Sequence, residues 1–123
     1  MPDPNYVLLY VADVTASEKF YADILGKKPV ESSPTFALFA LVNGVMLGLW
    51  RRDTVEPKAS FSGGGAELCI TVASAEAVRA THEAWRKRDL PIAQAPTKMD
   101  FGTTFVALDP DAHRLRVFAP VQP

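Results

Sequence analysis

The fold is decided by YVLLYVADVTASEKFYADILG, residues 6–26, in which a short apolar strand runs directly into an amphipathic helix. The first six residues are predicted to form the strand, and the apolar side chains of residues 16–25 recur at helical spacing. Thr15 and Glu18 have the spacing of a capping box, and Gly26 follows where a helix commonly ends in a left-handed residue. We therefore expect a helix over residues 16–25 whose apolar stripe packs on a sheet.

The same pattern recurs in ELCITVASAEAVRATHEAWRK, which predicts a strand over residues 67–72 and a helix over residues 74–87. Each helix is followed by three extended runs, and each half is therefore predicted to have the order β-α-β-β-β. The runs cover residues 28–31, 35–42 and 45–51 in the first half and residues 91–95, 103–108 and 114–118 in the second.

A polar linker separates the two halves. Pro57 and the three glycines that end at Gly65 interrupt both strand and helix in this region. We expect one α+β domain over residues 1–123, with module one at about 5–52, the linker at about 53–65 and module two at about 66–119.

Composition limits the partners and the compartment. The chain has 13 Lys and Arg residues against 14 Asp and Glu residues, and no basic run is interleaved with aromatic side chains. We therefore expect no nucleic acid and no anionic membrane as a partner. Cys69 is the one cysteine, and the start at Met1 has neither the basic nor the apolar region of a signal peptide. These features favour a cytoplasmic protein.

Several short motifs occur in a characteristic order. Val11-Ala12-Asp13 precedes Ser17, Phe20-Tyr21 and Leu25-Gly26, and the second half contains FGTTF at residues 101–105 followed by Asp109-Pro110-Asp111. In this order and spacing the chain resembles the vicinal oxygen chelate superfamily, which includes glyoxalase I, extradiol dioxygenases, fosfomycin-resistance enzymes and bleomycin-binding proteins.

The resemblance implies curled mixed sheets, with paired modules, commonly from two subunits, enclosing a cavity. A homodimer is therefore expected. Ala112 departs from the family, which usually has glycine there. With a positive φ, alanine would cost on the order of 1 kcal/mol, so the turn is either strained or of another type.

Strand alternation predicts which side chains face the cavity, because the apolar set must cover the helix. Val7, Leu9 and Val11 are assigned to the helix side of the first strand. The residues left for the concave faces are Tyr6, Leu8, Tyr10, Met46, Gly48, Trp50, Glu67, Cys69, Thr71, Arg114, Arg116 and Phe118.

The resemblance also implies positions for a divalent metal, one per strand on the concave faces. Here these positions hold Tyr6, Gly48, Glu67 and Arg116. Only Glu67 offers a carboxylate, whereas Arg116 places a permanent positive charge where a ligand belongs. We therefore predict neither a metal nor another cofactor. Glu67 and Arg116 either form an ion pair or are separately solvated at an open rim.

Aromatic residues dominate the predicted cavity. Trp50 lies two residues after Gly48, which would leave room beside the indole ring, and other candidate walls come from several phenylalanines. These are Phe39, Phe101, Phe105 and Phe118, with alternation unable to decide whether Phe36 or Phe39 faces inward.

We predict a binding protein that sequesters a planar aromatic compound, similar to the bleomycin- and phenazine-antibiotic-binding resistance proteins of the superfamily. Trp50 would stack on the ligand and Met46 and Phe118 would form apolar walls. Tyr6, Glu67 and Arg116 would orient the ligand through polar contacts. The alternatives are a metal-dependent glyoxalase, lyase or dioxygenase-type enzyme, since a slip of one residue exchanges strand faces, and an accessory dimer without a ligand.

Overall fold

The computed structural model describes residues 1–121, which form two compact units. Unit 1 is Met1–Gly63 and unit 2 begins at Gly64. Each unit has the order β-α-β-β-β, which confirms the predicted α+β class. Unit 1 contains β1 (Tyr6–Val11), α1 (Val14–Leu25), β2 (Glu31–Ser32), β3 (Phe36–Ala40) and β4 (Met46–Arg51), and unit 2 contains β5 (Glu67–Thr71), α2 (Ala75–Lys87), β6 (Ile92–Met99), β7 (Gly102–Leu108) and β8 (Arg114–Pro120).

In unit 1 the sheet order is β1-β4-β3-β2, with β1 parallel to β4 and the other pairs antiparallel. Helix α1 packs on one face of this sheet. The side chains buried there alternate along the strands, as a half-covered sheet requires. They are Val11, Ala37, Phe39, Leu47 and Leu49, together with Val14 and Tyr21 of the helix.

The start of α1 differs from the prediction. Asp13 is the N-cap, and its carboxylate accepts a hydrogen bond from the Ala16 amide at 3.1 Å. The capping box at Thr15 is therefore wrong, because the helix begins at Val14 and Thr15 already lies inside it. The Glu18 carboxylate instead accepts a hydrogen bond from the Ser32 hydroxyl. Gly26 has a φ of 64°, as predicted for the C-terminal residue.

In unit 2 the order is β5-β8-β7-β6, again with a parallel first pair. Ser74 caps α2 by accepting a hydrogen bond from the Ala77 amide at 3.1 Å. The α2 side chains of His82 and Trp85 contact the Phe105 ring edge to face, at centroid distances of 5.3 and 5.5 Å. These contacts identify the Phe105 side of the sheet as the one that α2 covers.

Two strands have different lengths from those expected. The run predicted at residues 28–31 is reduced to β2, and the Pro29 ring nitrogen has no hydrogen to donate to a sheet. Strand β6 extends beyond the predicted residues 91–95 and contains Pro96. That strand lies at a sheet edge, and its pairing with β7 shifts in register on both sides of Gln94, which accommodates the proline.

Within the described residues, neither helix is long and apolar enough to cross a membrane.

Candidate functional site

Each sheet has a second face, turned away from its helix, which we call the open face. In unit 1 the register places Tyr6, Leu8 and Tyr10 of β1 on the same face as the alternating β4 residues. Those β4 residues are Met46, Gly48 and Trp50, and β3 adds Phe36, Leu38 and Ala40. The prediction for β1 and β4 is therefore confirmed, and the open face of these strands and of β3 is apolar and aromatic, with the exposed Glu31 of β2 opposite Leu38 at its edge.

Trp50 is partly buried on this face and packs against its neighbour on β1. The Tyr10 and Trp50 rings meet edge to face, with centroids 6.3 Å apart and an interplanar angle of 78°. Further along β1, Tyr6 is 54% exposed and Leu8 is 43% exposed. Large apolar side chains are thus presented on this surface.

The predicted free space beside Trp50 is absent. A Cβ atom added at Gly48 would lie 2.7 Å from Leu8 Cδ2 and 2.9 Å from Phe36 Cζ, because these two side chains cover the glycine. Sequence reasoning missed this role of Leu8 and Phe36. The signal was the pairing register, since Leu8 is opposite Gly48 and Phe36 is opposite Trp50.

The same register decides between Phe36 and Phe39. Phe36 lies on the open face, whereas Phe39 is paired with Leu47 and is fully buried on the helix side. The prediction that Phe39 lines the cavity is therefore wrong. The two residues are three apart, so alternation puts them on opposite faces of β3.

In unit 2 the open face carries an ion pair. Arg116 Nε donates to Glu67 Oε1 at 2.7 Å, and Arg116 Nη2 donates to Glu67 Oε2 at 3.0 Å. The side chain of Arg116 is 18% exposed and that of Glu67 is 26% exposed. The predicted ion pair is therefore confirmed, and the alternative of two separately solvated charges is wrong. The hydrogen bond from Arg116 lowers the pKa of Glu67 against the opposing effect of burial, and the same bond raises the pKa of Arg116.

Arg116 is also fixed by two partners that the sequence did not reveal. Its Nη1 donates to Gln94 Oε1 and to Thr104 Oγ1, each at 3.2 Å. The buried Thr104 hydroxyl in turn donates to the Val117 carbonyl at 2.9 Å. Strand β7, next to β8, supplies Thr104, and the edge strand β6 supplies Gln94, so these contacts depend on the strand pairing of the tertiary fold. Arg114, predicted on this face, lies with Nη1 3.8 Å from Glu67 Oε2.

Two of the predicted phenylalanines lie beside the ion pair. Phe101 and Phe118 meet edge to face with centroids 6.0 Å apart, and Arg116 Cζ is 5.9 Å from the centroid of the Phe101 ring. Phe101 is 45% exposed. Phe105 is different, because it pairs with Val117 and is fully buried against α2. The prediction that Phe105 lines the cavity is wrong, since the open face of β7 belongs to Thr104 and Val106.

The four positions at which the family would place a metal do not fit one. Gly48 has no side chain and is covered by Leu8 and Phe36, while both Glu67 carboxylate oxygens accept hydrogen bonds from Arg116. Across residues 1–121 there is no group of three or more His, Cys, Asp or Glu side chains arranged to hold a metal ion. Single carboxylates are poor metal sites, because catalytic zinc commonly has three protein ligands.

The repeated β-α-β-β-β units and their open faces define the class of protein. Residues 4–117 match the Glyoxalase/Bleomycin resistance protein/Dioxygenase superfamily, and the chain belongs to this family, as the resemblance predicted. Over 117 residues it is 31% identical to the phenazine antibiotic resistance protein EhpR of Enterobacter agglomerans, covering 93% of this chain and 89% of that protein.

Solved structures share this fold. Protein ATC0852 from Agrobacterium tumefaciens is 51% identical, with a TM-score of 0.88 over 99% of this chain and 100% of that one. A glyoxalase-related enzyme from Fulvimarina pelagi is 21% identical, with a TM-score of 0.83 over 97% and 88% of the two chains. The second likeness shows the fold alone.

Proposed function

We propose that this protein sequesters a planar aromatic compound such as an antibiotic, and confers resistance by binding the compound without altering it. The observation that carries the proposal is the open face of unit 1, where Trp50, Tyr10 and the exposed Tyr6 present an apolar aromatic surface. Contiguous exposed apolar surface usually marks a binding site. Similarity to a phenazine antibiotic resistance protein supports a planar heteroaromatic ligand.

Trp50 is the proposed stacking residue. Its edge-to-face contact with Tyr10 restricts the tilt of the indole, which leaves a defined ring surface for a flat ligand. Tyr6 and Met46 lie further along the same face. For the open face of unit 2, we separately propose that Phe101 and Phe118 form apolar contacts with an aromatic ligand. The pair of Glu67 and Arg116 would orient the ligand there by holding the neighbouring polar groups in place.

Fluorescence titration with phenazine tests the proposal. Losing the indole removes stacking worth roughly 0.5–1.5 kcal/mol as well as buried apolar surface, so Trp50→Ala should weaken binding about tenfold or more. Trp50→Phe should weaken it less. The chain has two tryptophans, and Trp85 packs on Phe105 at the helix side. The matched control Trp85→Phe should therefore keep both the affinity and the quenching. Unchanged affinity in Trp50→Ala would refute the stacking role.

We propose that binding needs no metal ion, because the donor set at the family's metal positions does not fit one. Elemental analysis of gently purified protein should find less than stoichiometric transition metal, and EDTA should leave the melting temperature unchanged. A bound metal whose removal lowers the melting temperature would instead favour a metal-dependent enzyme of the glyoxalase or dioxygenase type.

We also propose a homodimer. Tyr6, Val7 and Leu8 are all exposed on β1, which pairs with only one strand of its sheet, and a second copy would cover this edge. Light scattering should give about twice the chain mass of 13.4 kDa. A monomer at micromolar concentration would contradict this proposal.

A further inference from the structure

The open face of unit 2 has a small excess of positive charge. One carboxylate, that of Glu67, lies close to two guanidinium groups, those of Arg114 and Arg116. The sum of one negative and two positive charges is +1. Arg116 takes both oxygens of Glu67 in hydrogen bonds, whereas the Arg114 Nη1 atom, 3.8 Å from Oε2, is too far away for one. The positive charge of Arg114 is therefore the less well compensated.

The acceptor oxygens around Arg116 are already hydrogen-bonded, so mainly N–H donors remain for a ligand. Arg116 occupies both Glu67 oxygens and also donates to Gln94 Oε1 and Thr104 Oγ1. The Gln94 Nε2 group donates only to the Met99 thioether at 3.5 Å, and sulfur is a weak acceptor. Arg114 has donors and no acceptor, and its side chain is 49% exposed.

These donors line a cavity. It has a volume of about 290 Å³ and is bounded by Ala93, Gln94, Val106, Arg114 and Arg116. Val106 is buried and provides an apolar wall, while Gln94 and the two arginines provide the polar ones. The cavity therefore combines net positive charge, free N–H groups and little acceptor capacity.

We propose that this cavity binds a carboxylate carried by the aromatic ligand, with Arg114 as the principal donor and Gln94 Nε2 as the second. An ionised carboxylate only accepts hydrogen bonds, fits the planar fork of arginine, and neutralises the single excess charge. Arg116 acts as a positioning residue, because its bond to Gln94 Oε1 fixes the orientation of that amide. The inference rests on the proposed function and specifies the ligand class as aromatic acids.

The test compares two probes of the same shape, phenazine-1-carboxylate and the neutral phenazine-1-carboxamide, by calorimetric titration near neutral pH. Wild type should bind the carboxylate about tenfold more tightly, the gain typical of one charge-assisted hydrogen bond. This preference should shrink as salt is added, because Arg114 is half exposed. Arg114→Gln should lose the preference, because it weakens the carboxylate far more than the carboxamide, whose neutral oxygen accepts a weaker hydrogen bond.

Two further variants complete the design. Gln94→Glu keeps an oxygen acceptor for Arg116 but replaces the free N–H donors by negative charge, so it should favour the carboxamide. Arg79→Gln makes the same charge change at an exposed position of α2 and should keep the preference. Equal wild-type affinity for both probes, or a preference that persists in Arg114→Gln, overturns the carboxylate site alone. Failure of both probes to bind overturns this site and the proposed function together.

Discussion

The two units share one strand order and one pairing pattern, but the central positions of their open faces differ in chemistry. In unit 1 the third position of β4 is Gly48, opposite Leu8, and in unit 2 the third position of β8 is Arg116, opposite Cys69. The position two residues earlier differs in the same way, whereas the position two residues later is aromatic in both strands. Along these strands the open-face residues are Met46, Gly48 and Trp50 in β4 but Arg114, Arg116 and Phe118 in β8.

The difference shows two ways to fill the same place in a sheet. Over Gly48 the space is taken by the apolar side chains of Leu8 and Phe36, which need no polar partner. At the equivalent place in unit 2 the guanidinium group of Arg116 needs several partners, and Glu67, Gln94 and Thr104 supply them. The first arrangement leaves an apolar surface, and the second adds charge and hydrogen bonds beside the rings of Phe101 and Phe118.

The ion pair has the largest expected effect on stability. Arg116→Leu should lower the free energy of unfolding by about 2 kcal/mol, because Glu67 is then left partly buried without its partner. The double variant Glu67→Leu with Arg116→Leu should lose less than the single variant, since no unpaired charge remains and the face resembles that of unit 1. Urea denaturation of the four proteins in a double-mutant cycle measures this coupling. Additive losses would contradict it.

A control variant distinguishes the loss of the hydrogen-bonded ion pair from the loss of a positive charge on the same face. Arg114→Leu removes the same charge from the same face, but Arg114 is 49% exposed and makes only the 3.8 Å contact with Glu67. Its effect should stay below about 0.5 kcal/mol, as for exposed ion pairs in general.

Acid should affect unit 2 through Glu67. The hydrogen bond from Arg116 holds the pKa of Glu67 below its ordinary value of 4.5 in the folded protein. The resulting stability is present above pH 4.5 and is lost as the pH falls through the lower folded pKa, because the unfolded chain then binds the proton first. As the pH falls below 4.5, wild type should therefore lose more stability than Glu67→Gln. Arg116→Leu removes the main cause of the lowered pKa, so it should lose less stability than wild type as the pH falls. Parallel curves for all three proteins would refute the linkage.

The smallest effect concerns the turns before β4 and β8. Unit 1 reaches positive φ with Asn43 and Gly44, whereas unit 2 does so with Ala112, whose φ is 65°. The strained alternative foreseen for this turn is the correct one. Ala112→Gly should raise the free energy of unfolding by at most about 1 kcal/mol, because relief of the Cβ strain is partly offset by greater freedom of the unfolded chain.

The matched variant is Gly44→Ala, which should destabilise by a similar amount in unit 1, where the glycine φ is 78°. Thermal unfolding of both variants measures the pair of shifts. A loss of stability in Ala112→Gly would show that the strain relieved is smaller than the cost of the glycine's greater freedom in the unfolded chain. The Asp109 carboxylate, which accepts hydrogen bonds from the amides of Asp111 and His113 at 2.8 and 2.9 Å, would then account for the conformation.

Local sequence signals predicted part of the candidate site and failed where a partner strand decided. Alternation placed Trp50 and Arg116 correctly, because the side-chain period of a strand is fixed by its own backbone. Phe39 and Phe105 were misplaced because each was chosen for its aromatic ring and not by its position in the alternation of its strand. The open space at Gly48 was wrong for another reason, since the side chains that fill it come from β1 and β3.

By itself, the sequence determined the duplicated β-α-β-β-β order, the family, and the facing of most strands, because these depend on residue spacing along a single segment. It also nominated Glu67 and Arg116 as a pair from their shared face. Only the tertiary structure decided that Gln94 and Thr104 fix Arg116, that Leu8 and Phe36 cover Gly48, and that Arg114 retains free donors. Strand pairing sets these contacts between residues distant in the chain, so no local pattern encodes them.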